Sequence, residues 1–280
     1  MRYGYSVVNG EAVFPEGITE IEKEAFWMCN SLEKVVIPEG VESIEWGAFY
    51  KCQSLKSVSI LGNVTQVGKH AFASCINLRE INIPEGVEII EDEAFQFCQK
   101  LEKAVISGSV KSIGDYAFFD CENLKEIIIL EGVTSIGKGA FTFCKKLEKV
   151  VIPKSVKNIG DGTFCWCENL EEIIIPEGVE SIEENTFFDC ISLKKIIIPE
   201  SVTQIGNGAF SNCKNLKEIS IPEGVESIRE KAFYNCKNLE KVTLPKNVKI
   251  ANNAFDGCDS LDKSCIPTEG NKSNGFMSFF

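Results

Sequence analysis

The chain has 280 residues, a net charge of −12 and a pI near 4.8. Such an acidic balance argues against nucleic acid as a partner, because phosphate binding needs a basic face, and equally against attachment to anionic membrane surfaces. No apolar run reaches the roughly 18 residues a membrane-spanning helix needs, so no membrane insertion is expected.

Thirteen cysteines in a chain of this length do not read as a small disulfide scaffold. Their placement is more informative than their number. Phenylalanine recurs every 23 residues from Phe26 to Phe233, with a last step of 22 to Phe255. A cysteine follows each one three residues later, from Cys29 to Cys258, and a leucine three after that, from Leu32 to Leu261. Eleven units of this kind account for nearly the whole chain.

The chain opens on Met1–Gly10, which has no apolar h-region, so no secretory leader is expected: the protein is either cytoplasmic or a mature chain or fragment. Residues 1–17 hold a half-unit, Ala12-Val13-Phe14-Pro15-Glu16-Gly17, expected to shield the first coil. Within each full unit, Leu-x-x-[Ile/Val]-x-Ile reads as a strand; Val35 and Ile37, or Ile127 and Ile129, face one way and the residue between faces the other. Pro-Glu-Gly or a variant follows, as in Pro38-Glu39-Gly40 and Pro176-Glu177-Gly178, and reverses the chain. A second apolar pair, Val41/Ile44 or Val133/Ile136, predicts a short second strand. The Ala-Phe-x-x-Cys segment fits one helical turn, since residues three apart share a face.

A unit of 23 residues cannot bury its apolar side chains alone. Stacking in register places each Leu, Ile, Val, Phe and Cys on its counterpart in the next coil. At about 4.8 Å per strand step, the coils over residues 18–267, eleven plus a partial twelfth, make a body on the order of 50 Å long. Residues 268–280 mix a Glu-Gly-Asn-Lys-Ser-Asn-Gly run with Phe276, Met277, Phe279 and Phe280. They read either as a lid over the last coil or as a frayed terminus.

The unit resembles leucine-rich repeats, and the motif Ile-Pro-Glu-Gly-Val-x-x-Ile-Gly-x-x-Ala-Phe-x-x-Cys-x-x-Leu is similar to the BspA-like (Treponema pallidum-type) subclass. Ile129–Cys144 and Ile198–Cys213 are clean copies, and the resemblance covers residues 8–267. It implies a solenoid: a right-handed leucine-rich-repeat coil with a parallel β-sheet on its concave face, short second strands and single helical turns elsewhere. It also implies a surface protein engaged in adhesion or in binding host or partner proteins. The compartment it implies, the cell surface or the exterior, differs from what the leaderless start suggests.

No stretch points to a reaction or a cofactor. Gly132–Gly139 approaches a phosphate-binding loop, but Gly139 stands where Ser or Thr should follow Lys138, and the segment is one more copy of the repeat. His70 is the only histidine and falls in a slot also held by Trp46, Tyr116 and Gly208, which predicts a solvent-exposed residue. The cysteine column could form disulfides between coils, but an odd set of parallel side chains cannot all pair. Zinc needs four converging ligands, which a line does not present. A buried reduced thiol ladder is the expectation, with off-register Cys165 and Cys265 as the reactive thiols. Carboxylate runs such as Glu91-Asp92-Glu93 read as solvated charge. Asn63-Val64-Thr65 and Asn271-Lys272-Ser273 match glycosylation sequons.

Two outward columns on the first strands are the candidate partner-binding surface. One alternates in sign through Lys103, Glu126, Lys149, Glu172 and Lys195, a pattern that fixes register. The other places Val105, Ile128, Val151, Ile174 and Ile197 side by side as an exposed apolar stripe. Aromatics beside the Phe–Cys turn, among them Trp27, Tyr50, Phe119, Trp166, Phe188 and Tyr234, form a rival surface, for which packing between turns is the simpler account. The leading expectation is a non-catalytic module that binds a protein through the concave sheet; the alternative is an intracellular scaffold or spacer with weak binding.

Overall fold

The computed structural model describes residues 4–266. Each unit forms one coil with two short strands. First strands run from Lys34–Ile37 and Ser57–Ile60 through Lys103–Ile106 and Glu126–Ile129 to Lys241–Thr243, and second strands from Glu20–Ile21 to Lys249–Ile250. Every pairing between coils is parallel and in register: Lys103 lies against Glu126, Ala104 against Ile127, Val105 against Ile128 and Ile106 against Ile129. The 23-residue period dictates this, because any slip would turn an apolar set toward water.

The core is a set of columns. Phe26 through Phe233 are fully buried. From Phe26 to Phe255 successive rings stack at centroid distances of 5.0 to 5.6 Å. Buried columns of Leu, Val, Ile and Cys surround them.

The segment expected as a helical turn is a train of linked β-turns instead. In the coil of Phe118, the amides of Tyr116, Phe118 and Asp120 donate to Lys138, Ala140 and Thr142 carbonyls of the next coil, at 2.7, 2.8 and 2.9 Å. The intervening amides of Phe119 and Cys121 close turns on Tyr116 and Phe118. Tyr116 and Asp120 have φ of 56° and 57°, and this left-handed conformation recurs in coil after coil at both slots. A left-handed residue every fourth position interrupts a helix, and it turns alternate N–H groups toward the neighbouring coil.

At the N-terminal end, Ser6–Val8 and Glu11–Val13 form an antiparallel hairpin across Asn9-Gly10, whose φ values of 48° and 81° suit a tight hairpin turn. Glu11 continues the sheet against Lys34 in parallel. Tyr5 and Phe14 meet Phe26 edge-on at 5.4 and 5.7 Å, so the exposed end of the phenylalanine stack is covered by aromatic rings. At the other end the chain passes into a short 3₁₀ turn, Lys263–Cys265. The expected lid or frayed tail, residues 268–280, lies outside the described residues.

Candidate partner-binding face

The apolar stripe lies on the first-strand sheet as its alternation requires, but its five members are not equally exposed. Val151, Ile174 and Ile197 are 60%, 60% and 45% exposed, whereas Val105 and Ile128 are half-buried. The open part of the stripe is therefore displaced toward the C-terminal half. It lines a groove of about 1410 Å³ together with Lys149, Glu172 and Lys157.

The groove sits where inter-coil pairing thins. All of Lys149–Val151 pairs with the preceding strand, but toward the following strand only Lys149 pairs, with Glu172. On the second-strand side one sheet ends at Asn158–Ile159 and the next begins at Ser181–Ile182. Val151 and Ile174, on the two strands that meet at this thinned ladder, are the most exposed members of the stripe.

The charged column is in register throughout, with Glu126 against Lys149 and Glu172 against Lys195. Lys103 and Glu126 close an ion pair at 2.7 Å. The neighbouring column, one residue earlier and not singled out in the sequence, carries more such pairs: Glu33–Lys56 at 2.6 Å, Glu102–Lys125 at 3.0 Å and Glu171–Lys194 at 2.7 Å. All are solvent-exposed, so each contributes no more than about 1 kcal/mol. Their main effect is on register.

The cysteine column holds free thiols, and they act as donors as well as packing groups. Each Sγ from Cys52 to Cys258 donates to the Phe carbonyl of the preceding coil; Cys121 and Cys144 reach the Phe95 and Phe118 oxygens at 3.3 Å. That oxygen already accepts the N–H of its own coil's cysteine, so the thiol occupies its second lone pair. Burial pushes the Cys52 and Cys98 thiols up to about 12. Cys165, expected to be reactive, is a correction: burial, with Asp189 adding, pushes it up to about 12 as well, the reverse of an activated thiol. The side chain of Cys265 lies outside the described residues.

His70 is a second correction. It is half-buried rather than solvent-exposed, packed edge-on against Trp46 and Tyr50 at 5.9 and 6.0 Å, with Nδ1 3.5 Å from Glu93. Gly132–Gly139 runs through the short strand Ser135–Ile136 and into the turn train, not into a helix whose N-terminus could cradle a phosphate. Among the described residues no cluster of three or more His, Cys, Asp or Glu has metal-binding geometry, and no helix is long and apolar enough to cross a membrane.

The aromatics of the turn face do pack between coils. Trp27 stacks on Trp46 and Tyr50 at 5.4 and 4.2 Å. Farther along, Phe97, Phe119, Phe143, Trp166 and Phe188 form a ribbon with successive centroids 5.6, 5.5, 5.7 and 6.1 Å apart. Phe97 and Phe143 join it from the left-handed slot, which a linear reading of the repeat passes over.

The family model for the BspA type leucine rich repeat region matches in successive, overlapping stretches, residues 9–125, 89–214 and 180–277. Among solved structures, the chain is similar to a leucine rich cell surface protein of Faecalibacterium prausnitzii, with 28% identity over 92% of this chain and 85% of that one and a TM-score of 0.54. A leucine-rich repeat protein of Eubacterium ventriosum is 25% identical over 89% of this chain and 82% of its own, with a TM-score of 0.57. One from Bacteroides ovatus is 25% identical over 92% and 84%, with a TM-score of 0.52. No curated protein matches. Proteins of this repeat class are generally non-enzymatic and typically bind other proteins. With the motif repeated in every coil, the parallel in-register stack and a family model that spans most of its length, the chain belongs to the BspA-type leucine-rich-repeat family.

Proposed function

We propose that the chain is a non-catalytic module that binds a protein, in adhesion or partner recognition, through the first-strand sheet. The observation that carries this reading is the exposure of Val151, Ile174 and Ile197 within one groove. Exposed β-branched residues at three consecutive coils are an apolar patch with a charged rim, the usual anatomy of a protein interface. Lys149, Glu172 and Lys195 supply that rim and would set orientation. The similar Faecalibacterium prausnitzii protein is a cell surface protein, which supports a surface role here.

Replacing Val151, Ile174 and Ile197 together with Ser is expected to abolish capture of the bound protein while the melting temperature moves by only a few degrees, because none of the three contributes to the buried columns. Affinity capture from cell-surface extracts, on wild-type and triple-variant protein side by side, measures it. Retained binding would move the site elsewhere. The scaffold or spacer reading draws on the in-register ion pairs, which stiffen the array without needing a partner; failure of the wild-type protein to capture anything would favour it.

A further inference from the structure

The turn face carries a second surface, distinct from the sheet groove. One of its two left-handed columns reads Phe97, Asp120, Phe143, Trp166, Asp189, Asn212, Asn235 in successive coils. Non-glycine residues rarely adopt this conformation, and bulky aromatics least of all, Asn and Asp being the tolerated exceptions. Asp120, Asp189, Asn212 and Asn235 therefore fit their slot, whereas Phe97, Phe143 and Trp166, with φ of 60°, 61° and 59°, hold it against a conformational cost.

What the three aromatics gain is the ribbon with Phe119 and Phe188, partly open to solvent, Phe97 to 37%. Two carboxylates punctuate it. Asp120 is half-buried between Phe97 and Phe143 in the column, and Asp189, 8% exposed, follows Trp166. Burial, then neighbouring Glu122, raises the Asp120 carboxyl above its ordinary range, a cost that an incoming cation would relieve. Lys145, the lysine that acts on Asp120, is tied to Glu122 at 2.6 Å. Asp189 accepts one hydrogen bond from the Asn212 amide at 3.0 Å.

The N-terminal aromatic cluster shows what such rings hold when the chain supplies its own cations. There Lys23 Nζ stands 4.5 Å over Trp46, and Lys51, in the same left-handed slot as Asp120, stands 5.1 Å over Tyr50. Among the described residues no lysine or arginine covers the five rings of the central ribbon. Where the first cluster has lysines, the ribbon has carboxylates. Aromatic faces with carboxylates beside them attract guanidinium groups, which stack on the ring and hydrogen-bond to the acid together.

We propose that this ribbon binds an extended, arginine-bearing segment of another protein, with guanidinium groups stacked on Phe143 and Trp166 and paired to Asp120 and Asp189. Alternate side chains of an extended chain recur about every 6.6 to 6.8 Å, close to the ring spacing of 5.5 to 6.1 Å. A strand laid along the solenoid axis, where coils repeat about every 4.8 Å, thus presents an arginine to about two coils in three.

The test is titration of a fluorescent hexa-arginine peptide into the full chain at about physiological salt, with hexa-lysine for comparison. Phe143→Asn and Trp166→Asn are the deciding variants. They leave the net charge untouched, and Asn already occupies the slot at Asn212 and Asn235, so their melting temperatures should match or exceed the wild type. Hexa-arginine is expected to bind more tightly than hexa-lysine, and about tenfold more weakly to either variant. Asp120→Asn should weaken it several-fold, while Val151→Ser in the sheet groove should leave it unchanged. Wild-type affinity in both Asn variants, or equal affinity for the two peptides, would overturn the proposal in favour of diffuse attraction to an acidic surface.

Discussion

Raising the pH from 8 to about 10 is expected to unfold the protein cooperatively. Eight thiols, Cys52, Cys75, Cys98, Cys121, Cys144, Cys167, Cys190 and Cys213, are fully buried, and burial raises each above its ordinary value of 9.0. Below that value folded and unfolded chains both keep the protons, and stability is undiminished. Above it the unfolded chain releases protons that the folded chain holds, and each such thiol removes about 1.4 kcal/mol of stability per pH unit. Eight together remove on the order of 10 kcal/mol by about pH 10, comparable to the whole stability of a typical domain. Ionisation would also turn a donor into an acceptor facing a carbonyl, as Cys144 faces the Phe118 oxygen at 3.3 Å. Circular dichroism against pH, with thiol titration by a chromogenic disulfide alongside, follows the transition. Thiols that stay unreactive in a chain still folded near pH 11 would refute the account.

Phe141→Ala is expected to cost about 3 to 5 kcal/mol, the range for a fully buried phenylalanine whose cavity cannot collapse. Its ring stacks between Phe118 and Phe164, both at 5.6 Å, and the columns beside it are held by the backbone ladder, so little can move to fill the gap. The stack is one-dimensional, and a defect in its middle weakens contact between two halves that still have coils to lean on. Urea unfolding of Phe141→Ala should therefore show a broadened or split transition. Phe255→Ala is the comparison: its ring is only half-buried and rests on Phe233 at 5.0 Å, so it should lose about half as much and keep a single transition. Equal losses at the two positions would mean that the rings contribute independently of their place in the stack.

Much of this architecture could be read from the period and the alternation. A 23-residue repeat with apolar residues in constant slots leaves one stacking solution, and it places Phe118 on Phe141 and Ile127 on Val150 without reference to coordinates. The hairpin at the start has a local signature, Asn9-Gly10 between short alternating runs just before the half-unit. The turn train was another matter. Ala-Phe-x-x-Cys spacing satisfies one helical turn as well as a pair of β-turns, and what separates them is that the Phe118 amide finds the Ala140 carbonyl in another coil. The candidate site divides the same way. Alternation places Val105, Ile128, Val151, Ile174 and Ile197 on one face, but that the last three are the open ones and the first two half-buried is seen only in the folded coils.

The residue order by itself determined the repeat, the in-register stack, the buried columns and the face on which the free positions lie, because each follows from local periodicity and from the need to bury a recurring apolar set. Tertiary structure decided what depends on distances between coils. It directed the thiols to the phenylalanine carbonyls and opened the groove where pairing thins beside Val151. It also gathered Phe97, Phe143 and Trp166, left-handed and far apart in sequence, into one ribbon with Phe119 and Phe188. Such features arise from hydrogen bonds and ring contacts between residues about 23 positions apart, whose geometry no window within a single repeat contains.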